Sequence, residues 1–235
     1  DSVFGTVNNM AQYSKKRNVY DQMAQVLVNY STGGMIQQFD QDGNIAAGGH
    51  KIKDAFFMNF ARLLNKDEIK KGSFTVTFNT GGAPEAPLPD SGLVIGDYGA
   101  SSSFRVNSPT GEYGLLYTSS ATPNIGSAVG HLYYQAGIAV ITASIFSDDP
   151  IGIGTGPYGF PSGFCGFGTQ DGAYDTTSYK TVLSSSTIQS FCDGLRNRLT
   201  QVQFNNTTEL NSTIYFCRAN VGDYNYSSNP TYLSA

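Results

Sequence analysis

The chain holds two histidines, His50 and His131, and three cysteines, Cys165, Cys192 and Cys217. With clustered carboxylates, these are the residues that acid–base, nucleophilic and metal chemistry draws on first. His131 lies in Gly130-His131-Leu132-Tyr133-Tyr134, an alternating run with Ala128, Gly130, Leu132 and Tyr134 on one face and Val129, His131 and Tyr133 on the other. That setting reads as a strand histidine bonded to a neighbour, not as a general base. The cysteine spacing matches neither a zinc ribbon nor a redox pair. Cys192 falls on a helical apolar face, Cys217 in a strand-like run and Cys165 in a glycine-rich stretch, so all three read as reduced, buried small hydrophobes. One disulfide with a spare thiol is the alternative.

The other short motifs fail on chemistry. Ser162, in Gly159-Phe160-Pro161-Ser162-Gly163, has Phe160 where a nucleophile elbow needs glycine. The run Ile151-Gly152-Ile153-Gly154-Thr155-Gly156-Pro157 has proline at the third position of a dinucleotide fingerprint, and no Gly-Lys-Ser/Thr follows to reach a phosphate. Asp40-Gln41-Asp42-Gly43-Asn44 starts like a calcium loop, but Lys51 stands where the twelfth-position acid belongs, so it reads as a hairpin turn. Asp148-Asp149 could meet a divalent ion but reads as solvated acids at a loop mouth. No carboxylate pair stands out for glycoside hydrolysis. The sequence thus assigns no catalytic residue, no cofactor and no metal ligand.

Composition points the same way. Charged residues make up 14% of the chain, against 15 tyrosines, 15 phenylalanines and 27 glycines. The net charge of −4 and pI near 5.0 supply no basic footprint for nucleic acid. Lys15-Lys16-Arg17 is the basic run, and it reads as a solvated turn. No stretch approaches the roughly 18 apolar residues of a membrane helix, and the start lacks a signal-peptide layout, so the expectation is a soluble protein with no membrane partner. The sequons at Asn29, Asn206, Asn211 and Asn225 read as chance products of a Ser/Thr/Asn-rich composition.

The elements that would position these residues are mostly short. Asp1 and the mid-pattern stop at Ala235 suggest a processed or truncated chain. Residues 1–18 show no clean period and are expected to form an extended arm ahead of one α+β structural domain, 19–235. Helical spacing of Val19, Met23, Val26, Leu27 and Tyr30 predicts a helix over 19–30, ended by Ser31-Thr32-Gly33-Gly34. Asp42-Gly43 predicts a hairpin between 35–39 and 45–47. Phe56, Phe57, Phe60, Ala61, Leu63 and Leu64 predict a buried helix over 54–64, followed by a capped turn at Asn65 and Glu68 with Lys70-Lys71 at its end. After Gly72 the period changes to two: Phe74, Val76 and Phe78 share one face of a half-buried strand. A loop spans 80–92. Strands are then expected at 93–95, 103–106, 113–117, 128–134 and 138–145, the last two joined by Gln135-Ala136-Gly137, which makes an antiparallel meander. The loop 148–174 is long for a passive connector and carries Tyr158, Phe160, Phe164 and Phe167. A capped helix from Ser186 with Ile188, Phe191, Cys192, Leu195 and Leu199 on its apolar stripe follows, then a strand pair at 201–204 and 213–218. The fold class is α+β, mainly antiparallel β in a meander or sandwich-like sheet, with two or three packed helices.

Four stretches carry a family resemblance. They are Lys53-Asp54-Ala55-Phe56-Phe57-Met58-Asn59-Phe60-Ala61-Arg62 with Gly72-Ser73-Phe74; Tyr98-Gly99-Ala100-Ser101-Ser102-Ser103 with Gly111-Glu112-Tyr113-Gly114; the run from Gly130 to Val140; and Phe216-Cys217-Arg218-Ala219 with Tyr224-Asn225-Tyr226-Ser227-Ser228-Asn229-Pro230-Thr231-Tyr232. Together, over roughly residues 50–235, they resemble virion structural proteins of large contractile-tailed phages, particularly those of marine cyanobacteria. The resemblance implies a non-enzymatic structural subunit of the tail, baseplate or neck, assembled in the host cytoplasm and resident in the virion. Its implied partners are copies of itself and other virion proteins. Phe4 and Tyr13 in the arm, and Tyr158, Phe160, Phe164 and Phe167 in the long loop, are the candidate interface residues, because aromatic anchors give large contact area at small entropic cost. Two other classes stay open: a receptor-binding module for host-surface glycan, and a wall-degrading hydrolase.

Overall fold

In the computed structural model the described residues are 2–45, 49–79, 92–118, 127–146, 187–208, 210 and 212–218. They form a mostly antiparallel β structure with α1 (Ser2–Leu27) before it and α2 (Ile188–Arg198) late in the chain. The α+β class and its antiparallel character therefore hold. At the centre is a five-stranded sheet in the order β3 (Ala55–Asn59), β10 (Ile138–Thr142), β9 (Gly130–Tyr133), β8 (Gly111–Leu116), β7 (Arg105–Ser108). The run β7 to β10 is the expected meander. Its β9–β10 turn closes with the Gly137 N–H donating to the Tyr133 carbonyl at 2.9 Å, and Gly137 takes a left-handed φ of 64°.

A second sheet has the order β11 (Leu199–Gln203), β5 (Thr75–Asn79), β6 (Gly92–Gly96). Two ribbons complete the strands. One pairs β1 (Phe39–Asp40) with β2 (Lys51–Ile52), the other β4 (Glu68–Ile69) with β12 (Asn206–Thr207).

The central sheet is apolar on both faces. Phe56, Phe60, Leu132, Tyr134, Ala139 and Ile141 join one core with Phe74, Val76, Phe78, Leu93 and Ile95 of the three-stranded sheet. Tyr113, Leu115, Tyr133 and Val140 join the other core, with Phe39 and Ile52 of the first ribbon and Ala24, Leu27 and Val28 at the end of α1. The layers are thus the small sheet, the large sheet, and a cover of helix and ribbon.

This two-sided burial corrects the helix expected over 54–64. Residues 55–59 are strand β3, followed by a short 3₁₀ turn, Ala61–Leu63. Phe56 and Phe60 enter one core while Phe57 and Ala55 pack against the other. A strand covered on both sides is apolar at every position, so its width imitates the broad face of a buried helix. The capped turn expected after it is instead strand β4, where Glu68 pairs with Lys71 at 3.6 Å.

Four further corrections follow. The extended arm expected over 1–18 is instead the first part of α1, which runs unbroken to Leu27. It ends where Asn29, in the left-handed region, donates its N–H to the Ala24 carbonyl at 3.0 Å. The hairpin expected about Asp42-Gly43 has its ladder farther out, at Phe39–Ile52 and Asp40–Lys51. Residues 213–218 join no strand among the described residues and are exposed. Cys192 and Cys217 are free thiols, as expected, but exposed rather than buried. The loop 148–174 and Cys165 lie outside the described residues.

Candidate functional site

Two sets of polar groups sit inside the cores, and both are engaged with backbone. His131, on β9, is fully buried, and its Nε2 lies 2.6 Å from the Asp40 carbonyl oxygen. An imidazole nitrogen meeting a carbonyl must carry the proton, which leaves Nδ1 as acceptor 3.4 Å from the Tyr133 hydroxyl. Burial pushes the His131 pKa down to about 4. The expected strand histidine bonded to a neighbour is what the structure contains. Beneath it Asp40, itself fully buried, is ion-paired with Lys51. The Tyr113 hydroxyl donates to the Gly43 carbonyl at 2.8 Å.

On the opposite face, Asp97 follows β6. One of its carboxylate oxygens accepts the Gly72 N–H at 2.7 Å and the Tyr134 hydroxyl at 3.2 Å, and the other accepts the Phe74 N–H at 2.9 Å. Burial nevertheless lifts its pKa to about 6, against the pull of those three donors. Asp97 fixes the strand-to-strand turn at Gly72. Sequence reading passed over it, because an aspartate in Gly96-Asp97-Tyr98-Gly99 looks like any solvated turn residue. The signal available was its position directly after the apolar alternation Leu93, Val94, Ile95.

A groove of about 720 Å³ opens along β3. Every residue from Lys53 to Phe60 lines it. Tyr13, Lys16, Arg17 and Tyr20 of α1 form one wall, and Ile188, Cys192, Leu195 and Arg196 of α2 form the other. Tyr20 anchors the first wall: its hydroxyl donates to the Ile52 carbonyl at 2.5 Å and accepts the Phe39 N–H at 3.3 Å. Its ring meets Phe39 and Phe57 edge-on at 5.5 and 6.1 Å. Burial raises the Tyr20 pKa to about 12, so this hydroxyl stays protonated as the donor. Leu195 is buried and seats α2 on the first core. The lining also carries charge: Arg17 faces Asp21 at 3.9 Å, Arg196 faces Asp193 at 2.6 Å, and Lys16, Lys53 and Asp54 complete it.

Of the candidate interface residues, Tyr13 is on this groove and 58% exposed. Phe4 is within α1, and its side chain lies outside the described residues, as do Tyr158, Phe160, Phe164 and Phe167. A second exposed surface comprises Leu210 and the segment 212–218, which presents Ile214, Tyr215 and Phe216, the last 94% exposed. Large apolar side chains grouped in this way mark contact surfaces. Among the described residues no three His, Cys, Asp or Glu side chains converge as a metal site, and no helix is long and apolar enough to cross a membrane. Comparisons with family models, curated proteins and solved structures find no match.

Proposed function

We propose that this chain is a non-enzymatic structural subunit of a tailed-phage virion, built into the tail, baseplate or neck through contacts with copies of itself and with other virion proteins. The observation that carries this reading is the exposed segment Ile214-Tyr215-Phe216, an apolar stretch outside both cores and outside any strand or helix. Such a segment is costly to leave in water and is suited to lie on a neighbour, where each aromatic removes on the order of 150–250 Å² from solvent. The interior supports the same reading. His131 and Asp97 are bonded to backbone groups that hold β1, β5 and β9 in place, which is what a rigid scaffold requires of buried polar residues. The four stretches that resemble virion structural proteins support a tailed phage as the kind of particle.

The test is to locate the chain in intact particles. Proteomics and imaging of purified particles should find it in several copies, held by neighbours. A chain present only in the free lysate of infected cells, or a purified chain that cleaves wall glycan, would overturn the proposal.

A further inference from the structure

β3 is an edge strand. Among the described residues it pairs with β10 on one side and with nothing on the other. The antiparallel register sets which backbone groups face outward. Phe60 donates its N–H to Gly137, and Asp54 accepts from Ala143, so the even-numbered residues from 54 to 60 bond toward β10. The N–H and C=O groups of Ala55, Phe57 and Asn59 therefore point away from it, into the groove between α1 and α2. A groove with aromatic and aliphatic side chains in its walls and a row of ladder groups along its floor is built to take an extended chain.

The same molecule carries a chain of that kind. Ser212-Thr213-Ile214-Tyr215-Phe216-Cys217-Arg218 is rich in β-branched and aromatic residues, has no charge before Arg218, and alternates Ile214 and Phe216 against Tyr215 and Cys217. Its seven residues match the five of β3 with one to spare at each end. We infer that two copies of this chain associate by strand exchange, residues 212–218 of each adding to the outer edge of β3 in the other.

Area and charge favour a second copy as the occupant. One seated strand covers about 1,000 Å² counted on both surfaces, and a reciprocal pair doubles this to roughly 2,000 Å², at the upper end of the range for stable complexes. A single such contact falls at the weak end. A two-fold exchange is self-complementary, so it closes without leaving a free edge. The stretch 212–217 carries no charge of its own, and the lining cations Arg17 and Arg196 are already paired with Asp21 and Asp193. The inference deepens the virion reading but does not depend on it, since exchange between copies is measured on the purified chain alone.

The experiment is sedimentation of the full 235-residue chain over a concentration series, with Ile214→Asp/Phe216→Asp as the variant. Both side chains are exposed in the single chain, so the variant keeps its fold. The wild type should sediment as a dimer and the variant as a monomer. In the dimer, amide exchange at Ala55, Phe57 and Asn59 should slow about ten-fold or more, and Cys192 on the groove wall should resist maleimide. A synthetic peptide of residues 212–218, with serine in place of Cys217, should restore both protections to the monomeric variant. A wild type that stays monomeric, a variant that still dimerises, or a monomer whose three amides are already protected by its own segment would each overturn the inference. If the wild type is monomeric yet enters particles, strand exchange fails and the structural-subunit reading stands.

Discussion

Tyr133 and Tyr134 are adjacent in the chain and face opposite cores, and each hydroxyl meets a different buried titratable group: Tyr133 faces His131 Nδ1 at 3.4 Å, and Tyr134 donates to Asp97 Oδ2 at 3.2 Å. The two groups respond to pH in opposite senses. Asp97 is raised from 3.8 to about 6, so the native state holds a proton that the unfolded chain has released. Its contribution is complete below about pH 4 and is lost as pH rises through 6. His131 is lowered from 6.5 to about 4, so the unfolded chain takes up a proton that the native state refuses. Its contribution is complete above pH 6.5 and is lost as pH falls through 4.

Between pH 4 and 6 the two contributions offset each other. Asp97→Asn should expose the His131 slope, with stability rising by about 1 kcal/mol per pH unit, and His131→Gln should expose the reverse slope. Denaturant titrations of the wild type and both variants across this range measure it. Parallel curves for all three proteins would contradict it.

Phe60 fills the first core against Phe74 at 5.5 Å and Phe204 at 6.0 Å. Phe60→Ala should cost about 3–5 kcal/mol, the usual result of emptying a packed aromatic site. A loss under about 1 kcal/mol in urea would mean that the core collapses into the gap.

Gly130 lies opposite Ile141 in the β9–β10 ladder, and a Cβ placed on it would overlap the carbonyl oxygen of Val140. Gly130→Ala should therefore part the central pair of strands and destabilise by more than about 3 kcal/mol. Retention of a wild-type melting temperature would show that the strands shift to admit a methyl group.

Native-state maleimide labelling of the monomeric Ile214→Asp/Phe216→Asp variant should modify both Cys192 and Cys217, which are exposed and free. Cys192 should react more slowly at neutral pH. Partial burial raises its thiol pKa, despite the opposing field of Arg196, and so reduces the thiolate fraction. Equal rates, or resistance of either thiol, would contradict this.

β5, with one hydroxyl face, could be read in advance, and so could β9 and β10, buried on both faces but joined at the tight Gln135-Ala136-Gly137 connection; β3 could not. Phe74, Val76 and Phe78 alternate with hydroxyl residues, and their strand was legible for that reason. Ala55 to Asn59 touch a core on each side, which erases the alternation that separates strand from helix. Residues 213–218 have the composition of a strand, but whether a strand has a partner is decided elsewhere in the chain. The groove was hidden for the same reason: β3 lies at the end of the first quarter of the sequence, while the walls of the groove come from α1 and α2, well over a hundred residues apart. Tyr13 was picked for its aromatic ring in an arm, and it lies on that groove although the arm is a helix.

The partners of the early strands arrive late. Thr200 on β11 bonds to Thr77 on β5 across 123 residues, and Asn206 reaches Leu63 across 143. At typical ribosomal speeds β5 waits on the order of 10 s for β11 to be made. Until β9 and β10 are made Val76 and Phe78 have only β6 beside them, and until β11 is made the other edge of β5 lacks its partner, so the nascent chain presents half-paired strands to its surroundings through much of its production. Yield in a cell should then depend on the rate of translation and on chaperone supply more than on the stability of the finished fold, a kinetic burden set by the distance between β5 and β11 in the gene.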